Sequence, residues 1–314
     1  MRLAATIIAV GAVIALGLTF AVRIEAYRGH AAPPRPPHQS TTLTVKPDSY
    51  VGMYESGAPA SYAGVTRFTA KTGIKPRLVV YYSGWFEPFK ASFATAAAKH
   101  GAVPLVQINP KHVSLAAIAS GRYDSYLSSY AVAVRSYQHP VILGFGHEMN
   151  GSWYSWGYRH TSPAVFVAAW RHIVTLFRGL GARNVTWMWT VNVVHTGGSI
   201  ARPAPWWPGS KYVTWVGLDG YYYKPSWTFA PLFGPTIAAI RQFTHAPMLI
   251  AETSAAPTTN QSAKIADLFA GVRLYGLLGF VWFNSVHNVD WRLINAGAIA
   301  AFRRGAQRYD RPAS

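Results

Sequence analysis

Short apolar segments alternate with longer, helix-compatible segments along most of this chain. Eight apolar segments are nearly continuous in hydrophobic character, which is typical of parallel strands that are buried on both faces. These segments are 50–54, 78–82, 103–108, 141–145, 185–190, 213–218, 248–251 and 279–283. Helix-compatible segments lie between them, such as 86–100, 123–137, 163–180 and 263–275. Eight strand-then-helix units predict a (β/α)8 barrel rather than a doubly wound sheet.

The first 47 residues depart from this pattern. An uncharged apolar stretch at 3–22 matches a bilayer core of about 30 Å, and charged residues follow it directly. A cleaved signal peptide usually has a shorter apolar region and a small-residue cleavage site. We therefore interpret 1–28 as a signal anchor or a signal peptide, with the uncleaved anchor favoured. Proline-rich residues 29–47 are interpreted as a linker, and 48–314 as the barrel domain, expected outside the cytoplasm.

Composition narrows the possible functions. Lys and Arg number 29 against 11 Asp and Glu, a formal charge of +18, and the chain has no cysteine. The basic residues are scattered without a run of five or a nucleic-acid-binding motif, so we expect no nucleic-acid partner. An anionic cell envelope and a codon bias of the source genome both remain open as explanations. Without cysteine there is no disulfide, thiol nucleophile or zinc-thiolate site.

The scarcity of acidic residues makes the candidate chemistry easier to locate. Only five glutamates occur in the chain; Glu148 follows the predicted fourth strand, and Glu252 lies at the end of the seventh. In a (β/α)8 barrel the strands end at one face, so these two carboxylates are expected to share a central cleft. Cleavage of a glycosidic bond needs such a pair, one to protonate the leaving oxygen and one to attack the sugar or activate water.

The segment at 147–157, His-Glu-Met-Asn-Gly-Ser-Trp-Tyr-Ser-Trp-Gly, is the most distinctive in the chain. His147 and Glu148 could begin the zinc-protease motif His-Glu-x-x-His, but position 151 is glycine, so the second ligand is missing. A capping or salt-bridging role would suffice for one isolated glutamate. The aromatic and polar residues clustered here, and the second glutamate on the seventh strand, favour a catalytic role.

These residues resemble the acid/base signature of glycoside hydrolase family 26, a clan A family of (β/α)8 barrels that consists mostly of endo-β-mannanases. The resemblance covers about 50–305. It implies that Glu148 is the acid/base and Glu252 the nucleophile of a retaining hydrolase. The pKa of Glu148 should then be raised by burial and by the nearby carboxylate. It further implies an endo-β-1,4-mannanase-like activity on β-linked polysaccharide, with no metal or organic cofactor.

The resemblance also implies roles for residues around this pair. His147 matches a histidine that contacts the sugar, Trp153 matches an aromatic residue of the cleft, and Tyr221 matches a tyrosine that bonds the nucleophile, with Tyr222 as the alternative in register. Trp282 and Asn284 match a sugar platform and a polar contact. Trp85, after the second strand, is a further candidate platform. Core packing is the alternative for His147, Trp282 and Trp85.

Two departures from the family pattern concern substrate-contacting loops. Ser155 replaces a proline, and the stretch at 189–192 reads Trp-Thr-Val-Asn where the family often has Trp-Ser-Pro-Asn. These changes bear on the identity of the polysaccharide more than on the chemistry. A barrel of the cell envelope that binds glycan or anionic polymer without cleaving it is the alternative function. The expected partners are a polysaccharide and, through the N-terminal segment, a membrane; the chain is expected to be monomeric.

Overall fold

Eight parallel strands close into a barrel in the order of the chain. The computed structural model describes residues 42–194 and 199–307. The strands are β1 Tyr50–Tyr54, β2 Leu78–Gly84, β3 Val103–Asn109, β4 Val141–Phe145, β5 Val185–Asn192, β6 Trp215–Asp219, β7 Met248–Thr253 and β8 Gly279–Phe283. The predicted (β/α)8 barrel is confirmed, and all eight predicted strands are present with their ends shifted by at most two residues.

The helices surround the barrel, although they are not distributed evenly. They are α1 Ala63–Thr72, α2 Ala91–Lys99, α3 Leu115–Ala119, α4 Asp124–Tyr137, α5 Pro163–Gly179, α6 Phe229–Arg241, α7 Gln261–Leu274 and α8 Ala296–Ala306. Two helices follow β3, whereas the described residues between β5 and β6 contain only a short 3-10 helix at Ala204–Trp206. The expectation of one α-helix after every strand was therefore wrong for the fifth unit.

The strands are continuously hydrophobic because both of their faces are buried. One set of side chains fills the barrel interior, including Leu78, Leu105, Ile142 and Leu249. The alternate set packs outward against the helices and forms the larger core. Ser162 illustrates how a helix begins: its hydroxyl accepts a hydrogen bond from the Val165 N–H at the start of α5.

The two ends of the barrel differ in what lies across them. At the end where the strands begin, Leu43 packs against the interior cluster and the Tyr50 hydroxyl donates to the Thr44 carbonyl at 3.0 Å. The chain thus enters the barrel across this end, which we call the base. The strands finish at the opposite end, where the loops carry the candidate site.

The predictions for the N-terminal region concern residues that the structure mostly leaves undescribed. The proposed anchor or signal peptide (1–28) and linker residues 29–41 lie outside the described part. Within 42–194 and 199–307, no helix is both long enough and apolar enough to cross a bilayer.

Candidate active site

Glu148 lies just beyond β4 in a conformation that few residues adopt. Its φ angle is +54°, in the left-handed region, and its N–H donates to the Thr190 carbonyl on β5 at 2.9 Å. Such backbone strain in a residue other than glycine costs on the order of 1–3 kcal/mol and is concentrated at functional sites. The side chain is nearly buried and accepts two hydrogen bonds, from Asn192 Nδ2 (2.6 Å) and from Trp153 Nε1 (2.7 Å). Both carboxylate oxygens are therefore held in place.

Glu252 lies on β7, on the other side of the barrel from β4. Two hydroxyls donate to its carboxylate: Tyr82, on β2, to Oε2, and Tyr221, after β6, to Oε1. Burial raises the pKa of both tyrosines well above the usual value, with the Glu252 charge adding to the effect. Both phenols therefore stay protonated and act as hydrogen-bond donors at neutral pH.

The two glutamates differ in how easily each takes up a proton. Burial, followed by the charge of Glu252, raises the pKa of Glu148 to about 7, although its two hydrogen bonds oppose the rise. Burial also raises the pKa of Glu252, but hydrogen bonds from Tyr221 and Tyr82 and the charge of His287 oppose it. The arrangement favours a protonated Glu148 facing an ionised Glu252, the charge distribution that an acid and a nucleophile require.

His147 is a neutral side chain packed beside the acid/base candidate. Burial lowers its pKa to about 3, and the charge of Lys111 adds to the decrease. In its neutral form Nδ1 donates to Asn109 Oδ1 at 2.9 Å, which leaves Nε2 to accept from the Tyr154 hydroxyl at 3.3 Å. His147 therefore supplies a fixed polar edge and does not serve as a proton donor.

Asp219 is a third carboxyl group in this site. It ends β6 and is paired in register with Glu252 on β7. Its side chain is 1% exposed, and neither oxygen has a hydrogen-bond partner among the described residues. Burial, then the charges of Glu252 and Glu148, raises its pKa well above the ordinary value. Asp219 therefore takes up a proton more readily than an ordinary aspartate.

Comparison with known proteins agrees with this geometry. The sequence profile of Glycosyl hydrolase family 26 matches residues 108–258, a segment that contains both glutamates. Endoglucanase H of Acetivibrio thermocellus is 28% identical over 264 residues, which are 79% of this chain and 29% of that protein. The segment that carries both glutamates is therefore similar to glycosyl hydrolase family 26.

Two further comparisons concern proteins named as mannan-cleaving enzymes. A mannan endo-1,4-β-mannosidase of Bifidobacterium adolescentis is 28% identical over 109 residues, or 32% of this chain and 11% of that protein. This chain thus spans less than a third of either curated relative. The structure of a Cellulomonas fimi endo-β-1,4-mannanase double mutant shares the fold, with a TM-score of 0.67 and 15% identity over 83% of this chain and 71% of that one.

The structure places the residues matched to family 26 in two groups. His147, Trp153 and Tyr221 lie at the two glutamates, and Trp153 is 45% exposed, so its ring is available to a ligand. The register alternative for Tyr221 is resolved by geometry, because the Tyr222 hydroxyl instead donates to Asp267 Oδ2 at 3.2 Å, away from Glu252.

Trp282 and Trp85 do not reach the cleft. Trp282 is 0% exposed and packs outward against Phe302 of α8, because side chains on β8 alternate between the interior and the helix layer. Trp85 is 8% exposed and packs against Phe145 in the same outer core. Neither can serve as a sugar platform, so both predictions are corrected. Phe283, the residue after Trp282, points inward and stacks on Tyr54, with ring centroids 4.7 Å apart.

Asn284 lies at the same end of the barrel and holds a loop in place. Its Nδ2 donates to Glu55 Oε2 at 2.8 Å, and its Oδ1 accepts from the Leu293 N–H at 2.9 Å.

The structure also explains the glycine that interrupts the zinc-protease pattern. A Cβ at Gly151 would approach the Trp153 ring to 2.3 Å, so a side chain here would displace the indole that bonds Glu148.

Three residues at this site were missed by sequence reasoning: Tyr82, Asn192 and Asp219. Asn192 enters the sequence analysis only as the last residue of the 189–192 stretch, with no role assigned to it. The available signal was that Asn192 and Asp219 are polar residues at the ends of β5 and β6. Tyr82 illustrates the difficulty, because it contacts a residue 170 positions away and follows another tyrosine that points outward.

Proposed function

We propose that this protein is a retaining glycoside hydrolase that cleaves β-linked polysaccharide by double displacement. The observation that carries the proposal is the asymmetry between two carboxyl groups in one cleft. Glu148 has a pKa raised to about 7, whereas Glu252 is held by two tyrosine hydroxyls. A proton donor and an ionised nucleophile on opposite sides of one barrel suit the attack and departure that this reaction requires.

In the first step, protonated Glu148 gives its proton to the glycosidic oxygen as the bond from that oxygen to the anomeric carbon breaks. A Glu252 oxygen attacks the same carbon from the opposite face and forms a glycosyl ester. Tyr221 and Tyr82 orient Glu252, and their hydrogen bonds weaken as its charge is consumed. The leaving sugar departs as a neutral alcohol.

In the second step, ionised Glu148 removes a proton from water, and the resulting oxygen attacks the anomeric carbon and displaces Glu252. The change of role follows from the coupling of the two charges. The negative charge of Glu252 contributes to the raised pKa of Glu148. Once Glu252 is an ester that charge is absent, so the pKa of Glu148 falls and the carboxylate becomes available as a base. Two inversions give net retention.

For the substrate we propose β-1,4-mannan cleaved within the chain. The match of residues 108–258 to family 26 and the similarity to a mannan endo-1,4-β-mannosidase support this choice. β-Glucan is the second candidate, because the similarity to endoglucanase H spans more of this chain. The departures at Ser155 and in the stretch at 189–192 alter loops that could distinguish the two polymers.

A substrate screen tests the proposal. The protein is incubated with mannan, glucomannan, mixed-linkage β-glucan and β-1,3-xylan, and reducing ends, viscosity and the anomer first formed are followed. We expect the fastest release from mannan, an early fall in viscosity and the β-anomer as the first product. Binding to these polymers without release of reducing ends would instead favour a barrel that binds glycan but does not cleave it.

The pH dependence should reveal the protonation of Glu148. Because the acid must carry its proton, kcat/KM is expected to fall as the pH rises through about 7. The Trp153 N–H stabilises the ionised form, so Trp153→Phe keeps the ring, loses the donor and should move this limb to higher pH. The measurement is a kcat/KM profile from pH 4 to 10 for both proteins. A limb that stays in place or moves down would contradict the assignment of Glu148 as the acid.

The hydrogen bond from Tyr221 to Glu252 should affect kcat more than substrate binding. Tyr221→Phe removes one hydrogen bond to a charged group, typically about 1.5–3 kcal/mol, so kcat should fall roughly 10- to 100-fold. The neighbouring Tyr222→Phe is the matched control, since its hydroxyl bonds Asp267, and its kcat should change by less than about threefold. Equal losses in both variants would indicate damage to packing and not to the nucleophile.

A further inference from the structure

The excess positive charge is concentrated at the base of the barrel. We count as the base residues 42–50, the segments from the last turn of α1, α2, α4, α5, α6 and α7 to the strand that follows each, and the described residues from the last turn of α8 onward. Within the described chain this region holds a single acidic residue, Asp48. Its twelve basic residues are Lys46, Lys71, Lys75, Arg77, Lys99, Arg135, Arg178, Arg183, Arg241, Arg273, Arg303 and Arg304. The other described residues are nearly balanced, with eleven Lys and Arg against eight Asp and Glu.

These base cations are exposed and are not neutralised by carboxylates. All except the partly buried Arg241 are exposed to solvent. The three ion pairs found among the described residues lie elsewhere in the barrel. Several guanidinium groups donate to main-chain carbonyls: Arg135 to Leu180, and Arg303 to Thr72. Those contacts orient the side chains without cancelling their charge.

Helix dipoles explain only part of this distribution. Basic residues are favoured in the last turn of a helix, and acidic residues are equally favoured in the first turn. Among the described helices only α4 has an acidic first turn, at Asp124, so the expected counterpart is nearly absent. Lys46, Lys75 and Arg183 lie in loops, where no dipole selects them. A codon bias of the genome would not remove acidic residues from one end of the barrel.

Two apolar side chains project among these cations. Leu274, the last residue of α7, is 81% exposed, and Val45, in the segment that crosses the base, is 57% exposed. Cations surrounding exposed aliphatic side chains are typical of surfaces that lie on anionic bilayers. The first described residues also lie at the base, where the Tyr50 hydroxyl donates to the Thr44 carbonyl.

We propose that the base of the barrel docks on a membrane surface rich in anionic phospholipid, so that the active-site cleft opens away from the bilayer. The basic side chains contact lipid phosphates, and Leu274 and Val45 enter the headgroup layer. Docking of this kind would hold the barrel in one orientation, and it does not depend on which polysaccharide the cleft accepts.

The absence of cysteine from the chain allows a direct test of orientation. Leu274→Cys at the base and Val286→Cys in the exposed loop after β8 are each labelled with the environment-sensitive dye NBD in the full-length protein. The proteins are reconstituted with phosphatidylglycerol or phosphatidylcholine vesicles. On phosphatidylglycerol the dye at 274 should shift to the blue and be shielded from iodide, whereas the dye at 286 should stay accessible. On phosphatidylcholine both dyes should stay accessible, although the apolar N-terminal stretch is unchanged.

Charge-reversal variants test whether vesicle binding depends on the cations of the base or only on the net charge of the protein. One variant carries Lys71→Glu, Lys75→Glu, Lys99→Glu and Arg304→Glu; the matched control carries Arg67→Glu, Arg122→Glu, Arg202→Glu and Lys224→Glu. Both lose the same charge from exposed positions. The phosphatidylglycerol concentration that half-shields the dye at 274 should rise more than tenfold for the base variant and less than threefold for the control. Equal effects, or a dye at 274 that stays accessible on phosphatidylglycerol, would overturn the proposal. Shielding by polyglycerol phosphate but not by vesicles would also overturn it.

Discussion

Glu252→Ala is expected to lower hydrolysis of any confirmed substrate by roughly 10⁴-fold or more, because no glycosyl-enzyme ester can form without the nucleophile. The contacts of Tyr82 and Tyr221 place this carboxylate where it would attack, and no other described carboxyl group receives hydrogen bonds from two tyrosines. Initial rates on the polymer that gives the highest activity measure the loss. Glu87→Ala is the matched control, since this exposed glutamate forms an ion pair with Lys90, and the variant should retain full activity.

Added azide distinguishes a missing nucleophile from a disrupted fold. In Glu252→Ala the space left by the carboxylate admits azide on the face from which Glu252 would attack. On an activated β-glycoside, azide should therefore displace the leaving group with a single inversion and give the α-glycosyl azide. Nuclear magnetic resonance of the product settles the configuration. Retention of wild-type activity in Glu252→Ala would show that another group attacks the sugar.

Glu148→Ala should have an effect that depends on the leaving group. Natural linkages need a proton on the departing oxygen, so their cleavage should fall by about 10²- to 10⁴-fold. An activated aryl glycoside departs unaided, so its first step should be affected far less. The second step still lacks its base, and the glycosyl ester of Glu252 should then accumulate. A burst of the released phenol in stopped-flow kinetics would measure this accumulation.

Azide should rescue Glu148→Ala with the opposite stereochemistry to that of Glu252→Ala. The anion attacks the accumulated ester without needing a general base, so turnover rises and the product is the β-glycosyl azide. Equal losses on natural and activated substrates, with no rescue, would remove Glu148 from the acid/base role. An inverted first product from the unmodified enzyme would keep the pair but make Glu252 a base that activates water.

Much of the fold could be predicted because it depends on local patterns. Parallel strands buried on both faces must be nearly continuous in hydrophobic residues, and that property is visible along the chain. Once eight such strands are recognised, barrel topology brings the residues at their ends to one face. Glu148 and Glu252 could therefore be paired although they are about a hundred residues apart. The missing helix of the fifth unit could not be recognised in the same way, because the long loop there contains apolar and aromatic residues too.

The direction of individual side chains could not be predicted, because the strands are buried on both faces. When both faces of a strand are apolar, the alternation that separates inside from outside is lost. Trp85 and Trp282 were therefore indistinguishable from cleft residues until the structure placed them against the helices. Tyr221 and Tyr222 remained alternatives until the structure directed one hydroxyl to Glu252 and the other to Asp267.

What the sequence by itself determined about this protein is the barrel, the pair of glutamates and the amount of excess positive charge. Each follows from residue type and order along the chain. Tertiary structure alone decided that Tyr82 and Asn192 hold these glutamates, that Asp219 is buried and paired in register with Glu252, and that the base carries most of the excess charge. These properties arise where strands and helices distant in sequence meet. Hydrogen-bond partners, burial and the local sum of charges exist only once the barrel has closed.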